Sequence, residues 1–260
     1  MENRINNNPP IGIIGGVGPY AGLDFIRKIF DNTIALKDQD HVNCILVSCP
    51  SVIPDRTDYL LKKENERGEN PAIGMFESTE CLYNAGVRYA SVACNTAHSE
   101  KIFLPFLKMV KEKLSGFEVV NMLETSAIHV KKMHPEIKCV GLLATLGTYK
   151  SRVYHEYFKK EDDFDLIEPD ENGKEKVHEA IYSPVFGIKA NSASIKPQAK
   201  ELFNNEIRKF IDRGAEAVIL GCTEIPLAVS PNDYKILIID PGLIIVRKLI
   251  QLSNPEKLLN

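Results

Sequence analysis

The stretches Ala93-Cys94-Asn95-Thr96-Ala97-His98 and Gly221-Cys222-Thr223-Glu224-Ile225-Pro226 decide how this chain reads. Each follows a largely apolar run, 89–93 in the first case and 217–220 in the second. Each is followed by small polar residues suited to opening a helix. In an α/β protein this puts both cysteines just beyond the carboxyl ends of strands, where ligands bind. A helix amino terminus beside a thiol lowers its pKa, so both sulfurs are expected to form thiolates readily. One such cysteine reads as a nucleophile. Two in equivalent settings point to a proton relay.

Outward from these stretches the chain repeats itself. Ile11-Gly12-Ile13-Ile14 reads as a buried strand running into a glycine turn, and Cys139-Val140-Gly141-Leu142-Leu143-Ala144 reads the same way. Gly12 to Cys94 spans 82 positions (94 − 12) and Gly141 to Cys222 spans 81 (222 − 141). Aligning Gly12 with Gly141 sets Gly15-Gly16-Val17-Gly18 against Ala144-Thr145-Leu146-Gly147. Between these marks, apolar residues at helical spacing (Leu23, Ile26, Ile29, Phe30, Ile34) and strand 42–47 lead into 50–70, read as a long charged loop. Helix 71–84, capped by Gly86, then leads to the Cys94 strand. Strands alternating with helices favour parallel sheets. The expectation is α/β, two similar parallel-sheet lobes related by internal duplication, 1–123 and 124–230, with the site in the cleft between them.

Composition narrows the function. A net charge of −3 gives no electrostatic case for nucleic acid or an anionic membrane surface. With 44% hydrophobic residues the chain can bury a core, yet no apolar run approaches the roughly 20 residues of a membrane span. The polar, Asn-rich start does not read as a signal peptide. Six cysteines without C-x-x-C spacing argue against a zinc site and a disulfide framework, so reduced thiols and a cytoplasmic protein are expected. Cys44, Cys49, Cys81 and Cys139 read as small buried side chains. Gly16-Val17-Gly18-Pro19-Tyr20-Ala21 matches G-x-G-x-x-A, but the second strand ends Val47-Ser48-Cys49-Pro50, without the acidic residue a dinucleotide site wants. The glycines are read as letting backbone approach a small ligand.

Five marks in order resemble the aspartate/glutamate racemase family, aspartate type: Gly15-Gly16-Val17-Gly18-Pro19, Ile53-Pro54-Asp55-Arg56-Thr57, Cys94-Asn95-Thr96-Ala97-His98, Gly187-Ile188-Lys189 and Gly221-Cys222-Thr223-Glu224-Ile225-Pro226-Leu227. The resemblance implies a cofactor-independent racemase of an acidic amino acid, needing neither metal nor pyridoxal phosphate, with Cys94 and Cys222 as the catalytic pair. It further implies a homodimer and a terminal segment, 231–260, that returns as strand and helix to the first lobe. Racemisation removes a proton from one face of Cα and returns one to the other. An ordinary thiol pKa of about 8.5 needs only a modest downward shift to serve there. Asn95, Thr96 and Thr223 suit an α-carboxylate, or simply cap the helices that follow. Arg56, in a loop stiffened by Pro54, carries a planar fork suited to a carboxylate. In aspartate-type relatives the residues matching Arg56 and Lys189 hold the substrate side-chain carboxylate or its surroundings. Glu224 stands where glutamate racemases carry a histidine, and either binds the substrate ammonium or orients a cysteine. Val17 and Thr145 complete the expected substrate set. His98 is assigned a structural part. A glutamate or broader-range racemase, and a non-catalytic binder of acidic amino acids, are the alternatives.

Overall fold

A computed structural model describes residues 9–159 and 164–259; most of the Asn-rich start lies outside them. In the first lobe, β1 (Ile11–Ile14) leads through α1 (Pro19–Asp31) to β2 (Cys44–Val47). After α2 (Arg56–Leu61) and α3 (Ala72–Asn84) come β3 (Tyr89–Val92), α4 (Glu100–Lys113), β4 (Glu118–Val119) and α5 (Met122–Met133). The second lobe repeats the plan. There β5 (Cys139–Ala144) is followed by α6 (Leu146–Ser151), α7 (Val153–Lys159), β6 (Asp165–Ile167), α8 (Glu171–Tyr182) and α9 (Pro197–Asp212). The chain closes with β7 (Ala217–Gly221), β8 (Leu237–Ile239) and α10 (Pro241–Ser253).

The two sheets are parallel and share one strand order, β2-β1-β3-β4 and β6-β5-β7-β8. In each, the chain reverses direction across the sheet between the two central strands, and such a switch point opens a crevice at the carboxyl ends of those strands. Strand pleat sorts the second lobe's core. Val140, Leu142, Ala217 and Ile219 face the first lobe and join its hydrophobic cluster, while Leu143, Val218 and Leu220 face α8 and α9 in a cluster of their own.

Three expectations need correction here. The segment 231–260 does not return to the first lobe as a unit, because β8 pairs with β7 in the second sheet. The repeat itself requires this, since β8 is the counterpart of β4. The rest does cross over: α10 packs on α1, β1, β3 and α5, and the chain after it pairs with the first lobe at Thr33 and Leu258, while α5 reaches the other way to α7. Ile245, Val246, Leu249 and Ile250 are fully buried there, each contributing roughly 1.5–3 kcal/mol of apolar burial. The stretch 50–70 is not all loop either. Asp55 accepts a hydrogen bond from the Asp58 backbone N–H at 2.8 Å and so starts α2, turning Arg56 inward. Nor are the four spare cysteines buried: Cys44 and Cys139 open strands and are half-buried, and Cys49 and Cys81 are exposed.

The crossing of α10 is fixed by charge at its start. Lys28 on α1 meets Asp24 at 2.5 Å and Asp240, the α10 cap, at 2.6 Å, with all three nearly buried. Burial pushes the Lys28 ammonium down, but the two carboxylates outweigh that and raise it. Replacing Lys28 with Met would leave two buried carboxylates facing each other. A loss of about 3–5 kcal/mol is expected in urea unfolding at neutral pH. A loss below about 1 kcal/mol would show that the cluster does not hold the helix.

Candidate active site

Four residues mark the crevice, one after each central strand. Val17 follows β1, Cys94 follows β3, Thr145 follows β5 and Cys222 follows β7. Together they frame a narrow cleft between the lobes. Arg56, Asn95 and Thr96 line it from the first lobe, and Lys189, Thr223, Glu224 and Tyr182 from the second. All ten residues singled out from the sequence therefore meet in one place. Tyr182 is the eleventh, and no motif pointed to it.

The glycine turn is shaped for a protein side chain. Gly18 has φ +147°, and a Cβ there would come within 3.1 Å of the Glu224 carboxylate. The close approach is thus to Glu224, which the turn seals from one side. On the opposite wall, a Cβ at Gly147 would lie 2.8 Å from Thr57 Cα, so the lobes touch backbone to backbone.

The expectation that helix amino termini lower both thiol pKa values fails for Cys222. Only a short 3-10 turn, Ile225–Leu227, follows it. Burial is the main influence and pushes this thiol up to about 12, and the Glu224 carboxylate adds to the rise. Lys189 and the backbone N–H of Glu224 pull the other way without prevailing. Cys94 is followed by a 3-10 turn, Thr96–His98, before α4 begins. Its neighbour is Arg56. Burial alone would push that guanidinium down, but the Cys94 sulfur and the Asp55 carboxylate beside it hold it above its ordinary value.

Hydrogen bonds hold this frame across the lobes. Arg56 donates to Val17 O at 2.6 Å and to Pro54 O at 3.1 Å, yet its buried Nε has no acceptor among the described residues. Asn95 Oδ1 accepts from the Tyr154 hydroxyl at 2.6 Å, while its buried Nδ2 has no acceptor either. The hydroxyls of Thr96, Thr145 and Thr148 lie 2.8–3.1 Å apart in a closed triangle, and Thr57 donates to Thr145 at 3.2 Å. Thr223 donates to Ala93 O at 3.0 Å, stitching the two cysteine segments together. Lys189 lines the cleft, but its ammonium is bonded to Glu224 and lies 5.3 Å from the Tyr182 ring centre. No group of three or more His, Cys, Asp or Glu side chains among the described residues could hold a metal.

His98 stands outside the cleft and supports it. Its Nε2 accepts from the Met122 backbone N–H at 3.3 Å, so Nδ1 carries the proton and donates to Cys94 O at 2.8 Å. Burial lowers its pKa to about 4. The unfolded chain takes up a proton below about pH 6.5 that the folded chain refuses until about pH 4. Stability from this group is therefore fully present above 6.5 and lost as pH falls to 4, by roughly 3 kcal/mol. Denaturant titrations between pH 7 and 4 should show that decline in the parent and a shallower one in His98→Gln. Equal slopes would exclude His98 as its source.

Comparisons with known proteins give the family and the fold. A sequence model described as Asp/Glu/Hydantoin racemase matches residues 14–249. The structure of an aspartate racemase from Picrophilus torridus superposes with a TM-score of 0.79 at 30% identity, covering 96% of both chains. A broad specificity amino-acid racemase, RacX, from Bacillus subtilis (strain 168) is 25% identical over 88% of this chain and 92% of its own. A glutamate racemase from Pediococcus pentosaceus is 24% identical over 68% of this chain and 62% of its own.

Proposed function

Because the chain belongs to the Asp/Glu/hydantoin racemase family, we propose that this amino-acid racemase interconverts L- and D-aspartate by proton transfer between two cysteines, without a cofactor. The observation that carries the reading is the meeting of two thiols and two unpartnered buried donors in one cleft. Arg56 Nε and Asn95 Nδ2 offer N–H groups to carboxylate oxygens, and a charge-assisted bond to a carboxylate is among the stronger polar contacts. Lys189 is bonded to Glu224, and the Arg56 guanidinium lies between Asp55 and Cys94 with its buried Nε–H the group turned to a substrate carboxylate.

In this reading Cys94 lies against the Arg56 guanidinium, while burial pushes the Cys222 thiol up to about 12. Cys94 takes the Cα proton of one enantiomer. The carbanion's negative charge spreads into the α-carboxylate, held by N–H donors. Cys222 then returns its own proton to the opposite face and becomes the thiolate, with Lys189 as the nearby cation. The other enantiomer runs the same steps in reverse. A glutamate or broader-range racemase is the second reading, supported by the racemases of those kinds among its relatives. The homodimer and cytoplasmic setting implied by the resemblance remain part of the proposal.

The test is incubation of pure protein with single enantiomers of aspartate, glutamate and several neutral amino acids, followed by chiral chromatography, with and without EDTA. Aspartate racemised fastest, with EDTA harmless, is the expected result. Racemisation of none would overturn the reading, and a faster neutral amino acid would transfer it to the second.

A further inference from the structure

The cleft is not uniformly deep. Arg56, Cys94, Asn95, Cys222 and Glu224 are buried, whereas Tyr182 and Lys189 are only half-buried. These two therefore stand at its mouth, and each is already engaged. Lys189 is bonded to Glu224. Tyr182, at the last turn of α8, donates its hydroxyl to Asp55 Oδ2 at 3.0 Å, reaching from the second lobe into the first.

Asp55 is bonded on both sides. Its Oδ1 caps α2, the helix whose first residue is Arg56, and its charge lies next to that guanidinium. The Tyr182 ring lies beneath the Lys189 ammonium on one side and stacks on His178 on the other, 4.5 Å between centres at 29°. Burial pushes the phenol well above its ordinary pKa, so at neutral pH it stays a donor. One side chain thus touches the carriers of both cleft cations, Arg56 through Asp55 and Lys189 directly.

We propose that Tyr182 is a positioning residue whose hydrogen bond to Asp55 clasps the two lobes across the cleft mouth and sets Arg56 and Lys189 at their working separation. Substrate enters when the clasp opens, and the carboxylate contacts are complete only when it has closed again. The proposal deepens the racemase reading and rests on it for its kinetic consequence. The clasp itself is testable without turnover, because an open cleft exposes Cys94 and Cys222 to reagents.

Tyr182→Phe keeps the ring under Lys189 and beside His178 and removes only the hydroxyl. Alkylation of Cys94 and Cys222 by iodoacetamide, followed peptide by peptide in the mass spectrometer, should quicken about fivefold or more. Exposed Cys81 serves as the internal standard and should not change. With aspartate, KM should rise about tenfold while kcat stays within about threefold, a split that simple loss of stability would not give. Asp55→Ser tests the same bond from the other side, since serine also caps helices but is too short to reach the phenol. It should match Tyr182→Phe in alkylation, and the double variant should exceed neither, as expected when two residues act through one contact. Unchanged alkylation of the cleft cysteines in either folded variant would overturn the clasp. Faster alkylation in a protein that racemises no amino acid would leave the clasp standing and remove its kinetic role.

Discussion

Replacing either Cys94 or Cys222 with serine is expected to lower racemisation of aspartate about a thousandfold or more, in both directions. Serine's hydroxyl is too weak an acid to lend a usable base or to return a proton at the same rate, and a placed acid–base group is worth about 10²–10⁴ in rate. In the proposed scheme the two thiols work as a unit, each the conjugate partner the other needs, so the double variant should be little worse than either single one. Run in D₂O, the parent should place solvent deuterium in the product while recovered substrate stays largely protiated, because each enantiomer gives its proton to a different sulfur. The substitutions are small, and both sulfurs are walled by residues held in place by the lobes themselves, so folding should survive. A single variant that racemises near the parental rate would leave only one base and end the two-cysteine scheme.

Arg56→Leu should be nearly as damaging to catalysis, by about two to three orders of magnitude in kcat/KM. The guanidinium sits between Val17 O, Pro54 O, Asp55 and the Cys94 sulfur, and its buried Nε–H has no acceptor among the described residues, which leaves it for a substrate carboxylate. Truncating one member of a buried, hydrogen-bonded charge pair costs about 2–5 kcal/mol, which spans that loss. Arg56→Lys should recover only a small part, since a point charge cannot reproduce the fork that donates in two directions. Lys189→Met should also depress turnover, here by leaving the Glu224 carboxylate unpaired beside Cys222. If both Arg56→Leu and Lys189→Met turn over aspartate like the parent, neither residue serves the substrate.

How far the sequence led can be judged from Cys94 and Cys222. Their strands, their glycines and the near-equal spacings were legible because a repeat in sequence is a repeat in topology, and the shared strand order follows from it. The same logic, carried past Pro226, would have placed β8 in the second sheet, since it is the fourth strand of its repeat. The pKa of Cys222 was not legible. A short polar run after a strand looks the same whether an α-helix or a single 3-10 turn follows, and burial decided the sign. Lys189 and Glu224 lie 35 positions apart, so each showed its charge but not its partner. Tyr182 carried no signal because aromatic residues near helix ends are common. Its position became visible only when α8 was set against Asp55, 127 positions earlier in the chain.

The crossing of α5 and α10 decides how the protein comes apart. Each helix finishes one lobe in sequence but finds neighbours on the other, and a single hydrophobic cluster runs from Ile11 through the inner face of the second sheet to Ile250. A gene cut after codon 123 would therefore not yield two modules. The first fragment would expose the seat of Ile245, Val246, Leu249 and Ile250, and the second would carry those side chains with α1, β1 and β3 gone from beneath them. In a scanning calorimeter the whole chain should melt as one peak whose measured enthalpy equals its van't Hoff value. The lobes are two in pattern and one in thermodynamics.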